Sequence, residues 1–158
     1  MLHQIFNAPR AYPSIYLPYY AQFNFYDGRT TWEQSIAPIP KAAVDLFCVH
    51  WLHLEVYNGG FWQYFFNSTA TSAPEAIEGY IAIGMPEVAN VVERAMHKVG
   101  TPFPFEKEAR ERIVGGPGDR MDFAELDAEF YDLADTEQFF RKRPKFVPFA
   151  EAYAARHS

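Results

Sequence analysis

The stretch from Glu55 to Asn67, EVYNGGFWQYFFN, constrains the fold more than any other, because it sets two adjacent glycines inside one of the most aromatic runs of the chain. Upstream, KAAVDLFCVHWLHLEVY from Lys41 to Tyr57 contains no glycine or proline, and Pro40 stands where a first helical residue would. Val44, Phe47, Trp51 and Leu54 recur at helical spacing, while Leu46, Cys48, Val49 and Leu52 make the other faces apolar too. A helix apolar on nearly every side belongs in the middle of a domain. Asn58, Gly59 and Gly60 then stop it, since Asn and Gly tolerate the left-handed backbone that closes a helix. The sequence therefore predicts a tight corner between two buried helices, the second opening with FWQYFF.

Downstream the chain reads as more helix. Ser72, Pro74 and Glu75 make a helix start, with Ser72 as cap, Pro74 in the first turn and Glu75 at the capping-box position. Ile77, Tyr80, Ile81 and Gly84 line one face of it. Gly84 to Pro86 is a stop and a new start, and Val88, Val91, Val92, Ala95, Met96 and Val99 carry the next helix to Gly100. A charged helix from Phe105 to Val114 and a glycine-rich loop follow. Asp122 to Ala134 is the clearest amphipathic segment: Phe123, Leu126, Phe130 and Leu133 form one stripe, and Asp122, Glu125, Glu129 and Asp132 the stripe beside it. Residues 136–140 continue or restart helix, and KFVPFAEAYAARH reads as a terminal one.

Residues 1–39 are different. APRAYPSIYLPYY and IAPIP are dense in proline and tyrosine, which disfavours long helices and predicts an extended arm. Arg10 is the only charge before Asp27, so the arm is expected to lie on the helical core of residues 40–158. At 158 residues and 49% apolar content the chain fits one domain with a real core. The expected fold class is mainly α: a single-domain compact helical bundle of about six to eight helices with an extended Pro/Tyr-rich N-terminal arm.

Several chemistries find little support. No apolar run approaches the roughly 18 residues of a membrane span, and MLHQIFNAPR lacks the blocks of a secretory signal, so a cytoplasmic protein with no membrane partner is expected. Cys48 has no partner in the chain and reads as core filler. His50, His53 and Glu55 could form a metal or acid/base group, with His97 joining in space, but core histidines are the commoner outcome on a buried helix. There is no nucleophile elbow, and the glycines at 115, 116 and 118 lack the lysine and hydroxyl of a phosphate loop. Neither a cofactor nor a metal is expected. RKRPK at Arg141 to Lys145 is too short for a nucleic-acid footprint in an acidic chain, so direct nucleic-acid binding is not expected either.

Charge is the remaining feature. The net charge is -6, but residues 119–137 carry 8 acids against 1 base, and residues 138–158 carry 1 against 5. As continuous helix the acidic segment would span about 27 Å, with one carboxylate per roughly 3.4 Å, the spacing of charges along one strand of B-DNA. An acidic block of this kind serves as a solvated helix face or as a surface for a basic partner.

Two motifs carry a resemblance. E-x-x-N-G-G-F-x-Q-Y-F-x-N, present as Glu55, Asn58, Gly59, Gly60, Phe61, Gln63, Tyr64, Phe65 and Asn67, resembles the signature of the bacterial DNA-mimic (DMP19-like) protein family. LDAEFYDL, Leu126 to Leu133, and APEAIEGYIAIG are similar to that family's pattern as well, so the resemblance covers about residues 40–157. It implies a mostly helical cytoplasmic domain, a homodimer, and a carboxylate-covered surface that occupies the DNA site of a transcription factor. By position, the motif residues from Glu55 to Asn67 are expected to be mainly structural. Asp122, Glu125, Asp127, Glu129, Asp132, Asp135 and Glu137 are the expected contact face.

Three functions follow. The leading one is a non-catalytic regulatory protein that binds a basic DNA-binding protein through its acidic surface. The alternative is an interaction or dimerisation module that uses the aromatic arm. The third is an enzyme with a polar pocket around Glu55, Asn58 and Gln63.

Overall fold

The computed structural model describes residues 11–134 and 145–158. In chain order these form α1 (Pro13–Tyr16), a 3-10 turn (Leu17–Gln22), α2 (Gly28–Ile36), α3 (Lys41–Phe66), a second 3-10 turn (Ser68–Ser72), α4 (Ala73–Ala82), α5 (Pro86–Val99), α6 (Lys107–Val114), α7 (Ala124–Ala134) and α8 (Phe146–Ala155). No strand occurs among the described residues. The mainly α class is thus observed.

α3 is the axis of the molecule: α1, α4, α6 and α7 all pack on it, and α4 and α7 are joined through α5. Val, Phe, Trp, His and Tyr are mediocre helix formers, each a few tenths of a kcal/mol worse than Ala. Burying such side chains offsets this several times over, at about 1.5–3 kcal/mol each. Leu46, Phe47, Cys48, Val49, Leu52, Val56, Phe61, Tyr64 and Phe65 are all buried, so tertiary packing is what holds this helix.

The predicted corner is present inside α3. Gly59 (φ -155°, ψ 23°) and Gly60 (φ 71°, ψ -176°) leave helical geometry between the long first segment and the short FWQYFF segment. α4 crosses α3 closely at Gly79, where a Cβ would stand 2.8 Å from the Asp45 carbonyl oxygen and 2.8 Å from a Val49 methyl.

Two local expectations are corrected. Residues 13–36 are not extended: Pro13 and Pro18 occupy the first turns of α1 and of the 3-10 turn, where a missing N–H costs nothing, and α2 adds nine helical residues. The segment does lie on the core, with Tyr12, Tyr16, Phe25 and Trp32 buried and Phe25 stacked on Trp32 (ring centroids 5.1 Å apart). Ser72 precedes α4 and Pro74 sits in its first turn, but the capping box does not form. The Ser72 hydroxyl donates back to the Thr69 carbonyl (2.7 Å), and the Glu75 carboxylate faces Arg29 and Trp32 instead.

Candidate functional site: the helix break and the acidic edge of α7

The motif residues converge on Glu55. Its carboxylate, 8% exposed, accepts hydrogen bonds from Gln63 Nε2 (2.6 Å), Asn67 Nδ2 (2.9 Å) and the Thr69 hydroxyl (2.9 Å). Asn58 Nδ2 donates to Gln63 Oε1 (2.9 Å), which fixes the Gln63 amide so that its nitrogen points at Glu55. Polar side chains on both sides of the glycine break are thereby tied to one acid. Phe61, Tyr64 and Phe65 turn inward as core.

The broken backbone needs partners of its own. Restarting a helix leaves unpaired N–H groups at its first turn, and here Asp127 of α7 supplies one from 66 residues away: the Phe61 N–H donates to Asp127 Oδ1 (2.8 Å). Burial raises the Asp127 pKa from its ordinary value against the opposing pull of that N–H, and the nearby Asp122 adds to the rise. At the other end, the last carbonyls of α3 meet Arg110. This arginine is 1% exposed and donates to the carbonyls of Phe65 (3.0 Å), Asn67 (3.0 Å), Phe105 (2.6 Å) and Pro104 (3.3 Å). Burial pulls its pKa down, while Tyr64 and the acids of α6 push it back up. Nothing in the spacing of the sequence pointed to Arg110 or Thr69, because Thr69 reaches Glu55 from the turn that follows α3 and Arg110 reaches the end of α3 from α6.

The structure divides the acids of the expected contact face. Asp122, Glu125 and Asp132 are exposed, and Asp122 Oδ1 also caps α7 by accepting the Ala124 N–H (2.8 Å). Glu129 is ion-paired with Arg94 of α5 (2.5 Å), and Lys98 of α5 donates to the Asp122 carbonyl (2.5 Å). Asp127 leaves the face, because its carboxylate caps Phe61. Asp135 and Glu137 lie outside the described residues, as does most of the basic run Arg141 to Lys145. Lys145 itself folds onto the end of α7: its backbone N–H donates to the Ala134 carbonyl and its Nζ to that of Asp132 (3.3 Å).

His50 and His53 are packed side chains, whereas His97 is exposed on α5. His50 lies 2.8 Å from the Tyr12 hydroxyl, and the His53 ring stacks on Tyr57 (4.4 Å) beside Phe146 (4.1 Å). Among the described residues no group of three His, Cys, Asp or Glu side chains could hold a metal ion, and no helix is long and apolar enough to cross a membrane. The glycine-rich loop is pinned as a turn, with the Trp62 indole donating to the Gly115 carbonyl (2.8 Å) and Arg120 over the Trp62 ring (3.8 Å).

No curated protein and no solved structure matches the chain. Residues 37–157 match one family over most of the chain, including the helix break, Arg110 and α7. The chain belongs to the DMP19-like protein family.

Proposed function

We propose that the chain is a non-catalytic regulatory protein that binds a basic, DNA-binding partner through the outer edge of α7, in the manner of a DNA mimic. The reading rests on three acids. Asp122, Glu125 and Asp132 are exposed, and none of their carboxylates is ion-paired within 4.0 Å among the described residues, although Lys98 and Lys145 reach the backbone carbonyls of Asp122 and Asp132. Glu125 and Asp132 stand about 10 Å apart along α7, the length of roughly three phosphates on one DNA strand, and Asp122 lies two residues before the helix. Glu87 of α5 shares a groove with Glu129 and Leu133, so acids of two helices meet there. Arg94 and Lys98 reduce the charge of the same surface, so the acids left unpaired are what make the expected association fast and salt-sensitive.

The test is the double reversal Glu125→Lys with Asp132→Lys, measured against a purified DNA-binding partner that duplex DNA displaces. Both positions are exposed, so the fold is retained. Affinity is expected to fall at least about tenfold, as it does with rising salt. Binding that survives molar salt and both reversals overturns the proposal. The arm offers a second reading with a narrower basis: Leu17, Tyr20 and Tyr26 are large apolar side chains it leaves exposed. An interaction module there predicts that the double reversal changes nothing and that truncating these three abolishes binding.

A further inference from the structure

A cleft of about 340 Å³ opens beside the first segment of α3, with no residue of α5 or α7 in its wall. The wall is aromatic: Tyr20, Phe25, Tyr26, Phe47 and Trp51 line it. The rings hold one another in place, with Phe25 stacked on Phe47 (5.4 Å) and edge-on to Trp51 (6.1 Å). Tyr26 is 81% exposed and Tyr20 50%, so two of the rings are open to a ligand.

One acid belongs to the same wall, and it is Glu55. A carboxylate offers about four acceptor positions. Gln63, Asn67 and Thr69 fill three, all with neutral donors, and no cationic side chain lies within 4.0 Å of Glu55 among the described residues. Buried carboxylates are ordinarily paired with a cation. Here the place where a cation would sit is a ring-lined space rather than a side chain of the chain itself.

Aromatic faces attract cations electrostatically, and a box of rings around one carboxylate is the chemistry that selects an alkylammonium ion over a neutral molecule of the same shape. The volume suits a small ligand. We propose that this cleft binds a small alkylammonium ion, with Tyr26 and Trp51 as ring contacts and Glu55 as counter-ion. Lys107, the one cationic residue of the wall among the described residues, opposes such a ligand. Its ammonium is engaged with Glu111 and lies 5.8 Å from the centre of the Phe66 ring. An anion site would depend on Lys107 instead, so this residue separates the two cases by sign.

Calorimetric titration of the full chain with choline, and with the neutral alcohol in which carbon replaces the nitrogen, tests the assignment. Choline is expected to saturate one site, and the neutral isostere to bind at least about tenfold more weakly. Tyr26→Ala, at an exposed position, is expected to weaken choline about three- to tenfold with unchanged thermal unfolding. Lys107→Gln is expected to tighten it about twofold or more by removing a like charge. Absence of saturable choline binding, equal binding of the isostere, or weaker binding in Lys107→Gln each overturns the proposal.

Discussion

Gly60 is the residue on which the helix break depends, and Gly60→Ala gives a measurable test of how the break is held. Its φ of 71° with ψ of -176° lies in a region open essentially to glycine alone, and placing another residue there costs about 1–3 kcal/mol. A second cost comes from space. A Cβ at this position would stand 2.5 Å from Asp127 Oδ2, so the carboxylate must move off the Phe61 N–H, a hydrogen bond to a charged group worth about 1.5–3 kcal/mol. Together these predict a loss of about 3–5 kcal/mol, a large share of the roughly 5–15 kcal/mol that holds a typical domain together. Asp127→Ala removes the same hydrogen bond without the strain, so the two changes should not add. The double variant is expected to be less destabilised than the sum of the singles by about the value of that one bond. Urea unfolding followed by far-UV circular dichroism reads all four corners of the cycle. A Gly60→Ala loss under about 1 kcal/mol, or strict additivity with Asp127→Ala, refutes the account of Asp127 as the cap of the second helical segment.

Two further predictions concern the same scaffold. The folded chain holds the Asp127 proton to higher pH than an unfolded carboxyl does, so this group's contribution is fully present below the unfolded value of 3.8 and is lost as pH rises through the raised folded value. Asp127→Asn can still accept the Phe61 N–H but cannot titrate. Its stability relative to the unsubstituted chain is therefore expected to rise with pH across that window and then level off; a difference in urea midpoint that is flat or falling contradicts this. Arg110→Lys replaces a planar fork by a single ammonium and cannot reach four carbonyls at once, so it is expected to cost about 2–4 kcal/mol. A thermal or urea measurement that places the variant within about 1 kcal/mol of the original would show that the carbonyls find other partners.

Much of the fold was legible because the chain announces its helices by period. The α5 and α7 stripes, the stop at Gly100 and the corner at Gly59 and Gly60 all follow from apolar spacing and glycine chemistry. The region before α3 was misread for an identifiable reason. Proline argues against helix in an interior, yet Pro13 and Pro18 stand in first turns, and α2 buries only Trp32 and so presents no periodic stripe. The acids of α7 show where spacing stops being informative. Helical geometry places Asp122, Glu125, Glu129 and Asp132 on one stripe and Asp127 across the apolar stripe from them, but what each acid meets depends on what the other helices bring up. Phe61 claims Asp127, and Arg94 claims Glu129. Glu75 is the same case: its position in the sequence suits a capping box, and the bidentate Arg29 guanidinium together with the Trp32 indole offers it more.

The inward turn of Asp127 gives α7 two working sides. One carboxylate on the inner side plugs a gap in a different helix, and its length and charge are set by that gap. Among the described residues the carboxylates on the outer side meet no backbone outside α7, so the charge shown to a partner can be raised, lowered or rearranged there while the break in α3 stays closed.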